Sequence, residues 1–115
     1  MTKRKIIIVK AGSQDLNEAV LALTSAFKGA FKLCQVLIHF SAAVTETASV
    51  TLDHPDGAEY DTVLDSTNIT AGQNYVFRPT GDCIVPVGGQ IKVGCTNATA
   101  TAIAYATIIA EDLGK

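Results

Sequence analysis

Apolar and polar residues alternate with a period of two along most of the chain from Phe31 to Ile109, and turn residues interrupt the alternation about every ten positions. Side chains of a strand point alternately to the two sides of a sheet, so this period indicates strands with one buried face. Short strands at regular spacing are typical of an antiparallel sandwich or barrel. The pattern therefore predicts an all-β, antiparallel β-sandwich of eight or nine short strands.

The predicted strands are separated by recognisable turn residues. His54-Pro55-Asp56-Gly57 and Gly88-Gly89 are typical turns, because proline presets φ and glycine accepts a positive φ. Ala71-Gly72 is predicted to end a strand as well. Pro86 cannot donate a hydrogen bond to a neighbouring strand, which predicts an edge position for its segment. After residue 30 the predicted strands are Phe31–Phe40, Ala48–Asp53, Tyr60–Asp65, Asn74–Pro79, Cys83–Val87, Gln90–Thr96 and Thr101–Ala110.

Residues 15–27 are open to two interpretations. Asp15 followed by Glu18 resembles a helical capping box, and the apolar residues after it have helical spacing. The alternative is a strand over Ala19–Thr24, followed by a turn at residues 27–30. We favour the strand, because everything after it has the β period.

The first ten residues form a basic segment that continues into a β-branched one. This composition predicts either an edge strand or an arm that pairs with a neighbouring subunit, while residues 11–115 are predicted to form a single β-sandwich domain. The arm is the predicted contact with the partner, and its candidate partner-binding residues are Lys3, Arg4, Lys5, Ile6, Ile7, Ile8, Val9 and Lys10.

Charge is distributed unevenly, although the net charge is only −2. Six of the nine basic residues lie in the first 32 positions, whereas nine acids lie from Glu46 onward, against Arg78, Lys92 and Lys115. A positive end and a negative remainder would favour head-to-tail contact or docking on an acidic surface, and ordinary solubilising charge is the alternative. The net charge predicts no general attraction to nucleic acid or to an anionic membrane.

No group of residues in the sequence has the pattern of a catalytic or metal site. His39 lies within a predicted strand and His54 in a turn, so they are not expected to converge on a metal. The acids around Pro55 lack the order of a calcium loop. The three cysteines contain no CxxC pair, which favours a reducing compartment during folding. Apolar runs are too short for a signal peptide or a membrane span. We therefore expect no enzyme activity and no cofactor.

Three segments together resemble a known class of proteins. They are Phe31–Ser41, then Ser49–Asp53 running to Tyr60–Leu64, then Pro86–Val93 running to Thr96-Asn97. Their order and spacing, over roughly residues 30–108, are similar to those of small jelly-roll-like structural proteins of tailed-bacteriophage virions. The resemblance implies a jelly-roll-like sandwich without catalytic function, most often a capsid decoration (cement) protein that bridges and stabilises neighbouring capsomers.

The resemblance also implies partners and a location. The expected partners are the major capsid protein or other virion proteins, together with further copies of the chain, with a trimer favoured. The expected location is the virion, after synthesis in the host cytoplasm. Two alternatives remain open: a neck, tail or fibre-anchoring component of the virion, and a small carbohydrate-binding β-sandwich module.

Overall fold

The structure is a computed structural model that describes residues 5–98 and 101–114. Within these ranges the chain forms seven β-strands, whose pairings are all antiparallel, and one short 3₁₀ helix, Ala58–Tyr60. The strands are β1 (Ile7–Asp15), β2 (Leu21–Thr24), β3 (Phe31–Asp53), β4 (Thr62–Phe77), β5 (Cys83–Val85), β6 (Gln90–Cys95) and β7 (Ile103–Asp112).

The long strand β3 organises the sheet, since it pairs with β4, β5, β6 and β7. If straight, its 23 residues would span about 75 Å at about 3.3 Å per residue. The molecule, however, is only 49 Å in its longest dimension. The strand must therefore bend. Its pairing with β4 changes register between His39 and Val44, immediately again before Glu46, and once more after Val50.

The bend divides the sheet into two half-sheets. In the first, the order is β1, β7 and residues 31–40 of β3, whose far edge is shared by β5 and the end of β4. In the second, the order is β2, β6, residues 44–53 of β3 and the beginning of β4. On the β1 and β2 side, a Cβ on Gly12 would lie 2.8 Å from Leu23 Cδ1. The two half-sheets thus approach each other there, and the sandwich is nearly closed into a barrel.

The core lies between the inner faces of the two half-sheets. Strict alternation supplies it: in β7 every second residue is buried, and in β6 the buried residues likewise alternate with exposed or half-buried ones. Burying these apolar side chains is the main driving force for folding. The largest fully buried apolar side chains are Phe31, Leu33, Ile38 and Phe40 of β3, Ile91 of β6, Ile108 of β7, and Leu16 in the turn after β1.

The predicted all-β antiparallel sandwich is confirmed, with β6 and β7 within two residues of the predicted bounds. Two pairs of predicted strands are each continuous, which is why seven strands replace eight or nine. Phe31–Phe40 and Ala48–Asp53 are both parts of β3, and β4 runs through Ala71-Gly72 without ending. The prediction that this pair ends a strand was wrong, because Ala71 adopts a φ of 51° and bends β4 instead. Tyr60 lies in the 3₁₀ helix and not in a strand.

The ambiguous stretch of residues 15–27 contains a strand and no α-helix. Asp15 does cap a local structure, since its Oδ1 accepts a 3.0 Å hydrogen bond from the backbone N–H of Asn17. That bond belongs to a turn, which is followed by the strand Leu21–Thr24. The preferred interpretation is confirmed, although the strand begins two residues later than predicted because Ala19 and Val20 are exposed in the turn.

Candidate functional site

The predicted partner-binding segment is placed as an edge strand of the first half-sheet. Lys3 and Arg4 lie outside the described residues. From Ile7 to Asp15 the segment pairs with β7 without any change of register, and the Ile6 carbonyl accepts a 2.8 Å hydrogen bond from Asp112 N–H. The pairing is with the same chain, so the segment is not a detached arm within these residues.

Side chains of β1 divide between the two faces of the sheet. Ile8 packs against the core, and Lys10 occupies the same inner side but is half-buried. Ile7 and Val9 point outward, where Val9 is 57% exposed. Two large β-branched side chains on an outer face contribute nothing to the core of this chain.

The outward side chains of β1 continue across the first half-sheet as an apolar surface. The strand registers place Val9 beside Ile109, and they place Ala11, Thr107, Leu37 and Val76 in one row across four strands. Val76 is 50% exposed and Tyr105 is 47% exposed. We call this surface the apolar outer face and define it by Ile7, Val9, Leu37, Val76, Ile84, Tyr105 and Ile109.

Polar side chains lie within and around the apolar outer face: the registers place Glu111 and Lys32 between Ile7 and Ile84, and Gln35 beside Ile109. Lys32 Nζ lies 3.3 Å from Asp82 Oδ1, and this carboxylate raises the pKa of the Lys32 ammonium above its usual value. Arg78 Nε donates a 3.0 Å hydrogen bond to Gln35 Oε1. Protein interfaces generally combine apolar area with paired polar groups.

The outer face of the second half-sheet has a different character. Thr47 Oγ1 donates a 2.8 Å hydrogen bond to Asn68 Oδ1, and Lys92 Nζ lies 3.4 Å from Asp53 Oδ2. Its large exposed apolar side chains among the described residues are Val63 in β4 and Val20, which borders Thr47 and Ser49 just before β2. We call it the hydroxyl-rich outer face and define it by Thr24, Thr47, Ser49, Thr51, Ser66 and Asn68.

The sequence alone did not identify the apolar outer face. Leu37, Val76, Tyr105 and Ile109 come from three different strands, and only the strand registers bring them together. One signal pointed to it: Phe31–Phe40 is apolar on both faces, which predicts a strand covered on each side. The core covers one side, whereas no described part of this chain covers Leu37 and its neighbours on the other.

The two histidines lie in different parts of the fold and do not share a cleft. His39 Nδ1 and Asn74 Oδ1 lie 2.9 Å apart. His54 belongs to a separate loop, where its Nδ1 accepts a 3.1 Å hydrogen bond from Asp56 N–H. Over residues 5–98 and 101–114, no group of three His, Cys, Asp or Glu side chains is placed to hold a metal ion.

The buried polar groups have structural partners. Glu46 accepts hydrogen bonds from Thr96 Oγ1 at 2.6 Å and from Ala98 N–H at 3.0 Å, which anchors the loop after β6. Tyr75 Oη donates a 2.5 Å hydrogen bond to Asp65 Oδ2. Burial, together with this bond, raises the pKa of Tyr75 well above its usual value. These hydrogen bonds stabilise the sandwich.

Among the described residues, no helix is long and apolar enough to cross a membrane.

Neither known protein families nor curated proteins match this sequence. Among solved structures, PirA is similar with a TM-score of 0.46 and 15% sequence identity, over 96% of this chain and 95% of PirA. A structure of the infectious bursal disease virus Gx strain is similar with a TM-score of 0.47 and 11% identity, over 97% of this chain and 34% of the viral chain. A mutant VP2 protein of that virus, from T=1 particles, has a TM-score of 0.39 and 9% identity, over 95% and 36%. The chain spans about a third of the length of these viral chains.

Proposed function

We propose that this protein is a non-enzymatic structural subunit of a bacteriophage virion, a capsid decoration (cement) protein that bridges neighbouring capsomers. The observation that carries the proposal is the apolar outer face, which residues 5–98 and 101–114 leave uncovered. The resemblance of Phe31–Ser41 and the two later segments to tailed-phage virion proteins supplies the virion as its place. The partner is the major capsid protein.

The apolar outer face is too small to form a standard protein interface on its own. Four strands about 4.8 Å apart and about seven residues long give an area of about 400 Å². A standard interface buries about 800 Å² on each partner. The apolar outer face therefore supplies about half of one, and a stable bridge needs the neighbouring edge strands as well.

The alternatives differ from this proposal in measurable ways. A neck, tail or fibre-anchoring subunit would use the same surface in far fewer copies. A carbohydrate-binding module would need aromatic rings side by side on one face. The exposed tyrosines of the described chain, Tyr60 and Tyr105, lie in a loop helix and in β7, respectively.

Quantitative mass spectrometry of purified particles tests the proposal. A decoration protein is expected in a number of copies comparable to that of the major capsid protein, within about an order of magnitude. Shells stripped of the protein should also bind the purified chain in cosedimentation. A dozen or fewer copies for each particle would favour the neck or tail, and absence from the particles would exclude a virion role.

A further inference from the structure

The two sides of the sandwich carry charges of opposite sign. The first fourteen residues contain four basic residues and no acid, and residues 54–77 contain four acids and no lysine or arginine. The acids are Asp56, Glu59, Asp61 and Asp65. Lys5 and Lys10 are the basic residues on the other side that the structure describes.

Strand order places these two groups at opposite edges of the molecule. β1 ends the order of the first half-sheet on one side, whereas β4 lies beyond β3 on the other. Of the described strands, β1 pairs only with β7 and β4 pairs only with β3. Both edges therefore lack a further hydrogen-bonded strand, although β1 approaches β2 at Gly12. The acidic 3₁₀ helix Ala58–Tyr60 stands directly before β4.

Within the described part of the chain, no ion pair joins these groups to a lysine, arginine or carboxylate of opposite charge, although β7 places Glu111 beside Ile7 and Asp112 beside Ile6. The ion pairs there join Lys32 to Asp82 and Lys92 to Asp53, and the Asp56 carboxylate lies 3.7 Å from His54 Nδ1. The carboxylates near the start of β4 have no lysine or arginine partner among them, and neither Lys5 nor Lys10 has an acidic one. Each edge thus presents a field that attracts the other.

We propose that copies of this chain associate head to tail, with the β1 edge of one copy against the acidic start of β4 in the next. The basic edge is Lys5–Ala11, and the acidic edge is Asp56–Asp65. The inference deepens the proposed assembly function by naming a second copy as the partner of these edges. It supplies contact area beyond the apolar outer face.

Charge and symmetry indicate which part of the second copy contacts the β1 edge. A two-fold contact between two β1 edges would bring Lys5 and Lys10 towards their own copies, and like charges repel. A head-to-tail contact brings them towards carboxylates instead. Lys10 points to the inner side of an edge strand, a position that hinders further strand pairing. The contact is therefore made by side chains and not by strand pairing.

Sedimentation velocity with charge-reversal variants tests this contact. Lys5→Glu and Glu59→Lys each change one exposed side chain for which the structure shows no partner, so folding is expected to be unaffected. Each variant alone should associate at least about tenfold more weakly than the parent chain at about 50 mM NaCl. An equimolar mixture of the two should recover association, because the carboxylate introduced on the β1 edge of one variant then faces the ammonium introduced on the acidic edge of the other.

Matched controls reverse charges outside the two edge segments Lys5–Ala11 and Asp56–Asp65. Lys28→Glu and Glu18→Lys change the net charge equally, in exposed loop and turn positions, and should associate like the parent chain. Raising NaCl to about 500 mM should weaken association of the parent chain at least about tenfold, because screening shortens the range of the field.

Three results would overturn the inference: a parent chain that remains monomeric at low salt, edge variants that behave like the controls, or a mixture that does not recover. A Glu59→Lys variant that associates like the parent chain, while Lys5→Glu does not, would indicate the two-fold contact instead and would equally overturn it. A monomeric chain that still decorates particles would leave the proposed function standing. Oligomers that never bind particles would refute the proposed function and not this contact.

Discussion

The two outer faces of the sandwich differ, although the two inner faces are alike. Both inner faces are built from Val, Ile, Leu, Phe and Ala and reach nearly complete burial. The outer face of the second half-sheet carries hydroxyl and amide groups that bond to one another, whereas the first carries Val9, Val76 and Tyr105. Folding requires the apolar inner faces, and it does not require the outer faces to differ in polarity. An apolar surface that the fold does not need is expected where another molecule binds.

Strand β4 contributes one exposed valine to each outer face, so the two faces can be compared within a single strand. Val63 near its start lies on the hydroxyl-rich outer face and is 63% exposed, and Val76 near its end lies on the apolar outer face. The two residues are identical in chemistry and similar in exposure, and they differ in what surrounds them. Val76 stands in a row with Leu37, while Val63 stands opposite Thr51. The neighbours, and not the residue, decide whether an exposed valine forms part of a binding surface.

The largest expected effect concerns whether the two half-sheets fold as one unit. Phe40 is fully buried and lies where β3 begins to bend from one half-sheet to the other. Phe40→Ala should lower the free energy of unfolding by about 3–5 kcal/mol, through lost burial and the cavity left behind. Urea denaturation followed by far-ultraviolet circular dichroism and by tyrosine fluorescence would measure this.

The matched control for Phe40→Ala is Val63→Ala, which should change the free energy of unfolding by less than about 0.5 kcal/mol because Val63 is exposed. Both probes should report the same transition in every variant. Separate transitions for the two probes would show that the half-sheets are independent, and the comparison of their outer faces would then concern two units.

The second prediction separates the outer faces by function. Val76→Asp places a charge in the apolar outer face and should weaken binding to stripped shells at least about tenfold, equivalent to about 1.4 kcal/mol. Val63→Asp makes the same change on the same strand and should leave binding within about twofold. Both variants should unfold at urea concentrations close to that of the parent chain. Equal loss of binding in the two variants would contradict the proposed role of the apolar outer face.

The third prediction concerns the interior beneath the hydroxyl-rich outer face. Burial, aided by the nearby Glu46 charge, raises the pKa of the Cys95 thiol from its ordinary 9.0 to about 11. Well below pH 9.0 the thiol is protonated in both the folded and the unfolded chain, so its full contribution to stability is present. As the pH rises towards about 11, only the unfolded chain ionises readily, and the contribution is lost.

Cys95→Val tests that prediction, because valine has a similar shape and does not titrate. Between about pH 8 and about pH 11, the parent chain should lose about 1–2 kcal/mol more stability than the variant. Other titrating groups are common to both chains and cancel in the difference. Urea denaturation under reducing conditions would measure it. Parallel losses in the two chains would show that the buried thiol is not a source of the alkaline sensitivity.

Much of the fold could be predicted because its signals are local. β6 and β7 alternate without interruption, so their bounds and buried faces follow from the period of two. The edge position of β5 follows from Pro86 in the same way. The continuity of β3 could not be predicted, since Ser41, Ala42 and Ala43 are exposed at the bend and break the alternation. Alternation reports burial, and a bent strand continues through residues that are not buried.

The candidate surface was predictable only at its edge. Ile7 and Val9 were recognised as candidate partner-binding residues because they are apolar and follow a basic segment. Leu37 and Ile109 belong to the same surface, but their proximity depends on the pairing of β3 with β7 and on an irregularity between Leu33 and Gln35. A shift of one residue would turn these side chains inward. Such register is a property of long-range pairing, which no local pattern contains.

The smallest expected effect lies at the point where β4 passes from one half-sheet to the other. Ala71 there adopts a φ of 51°, and its N–H donates a 3.2 Å hydrogen bond to Thr45 Oγ1. A left-handed conformation costs alanine about 1–2 kcal/mol, whereas glycine adopts it freely. Glycine also makes the unfolded chain more flexible, which costs about 0.4–1 kcal/mol. Ala71→Gly should therefore raise the free energy of unfolding by about 0.5 kcal/mol.

Ala43→Gly is the matched control, and it should change the free energy of unfolding in the opposite direction. Ala43 is also exposed, in the bend of β3, and its φ is not positive. Glycine there relieves no strain and only makes the unfolded chain more flexible, so it should lower stability by about 0.5–1 kcal/mol. Thermal denaturation of both variants would measure the difference. Two changes of the same sign would show that β4 does not turn through a strained residue at Ala71. The joint that lets one strand supply both outer faces would then have to be stabilised in some other way.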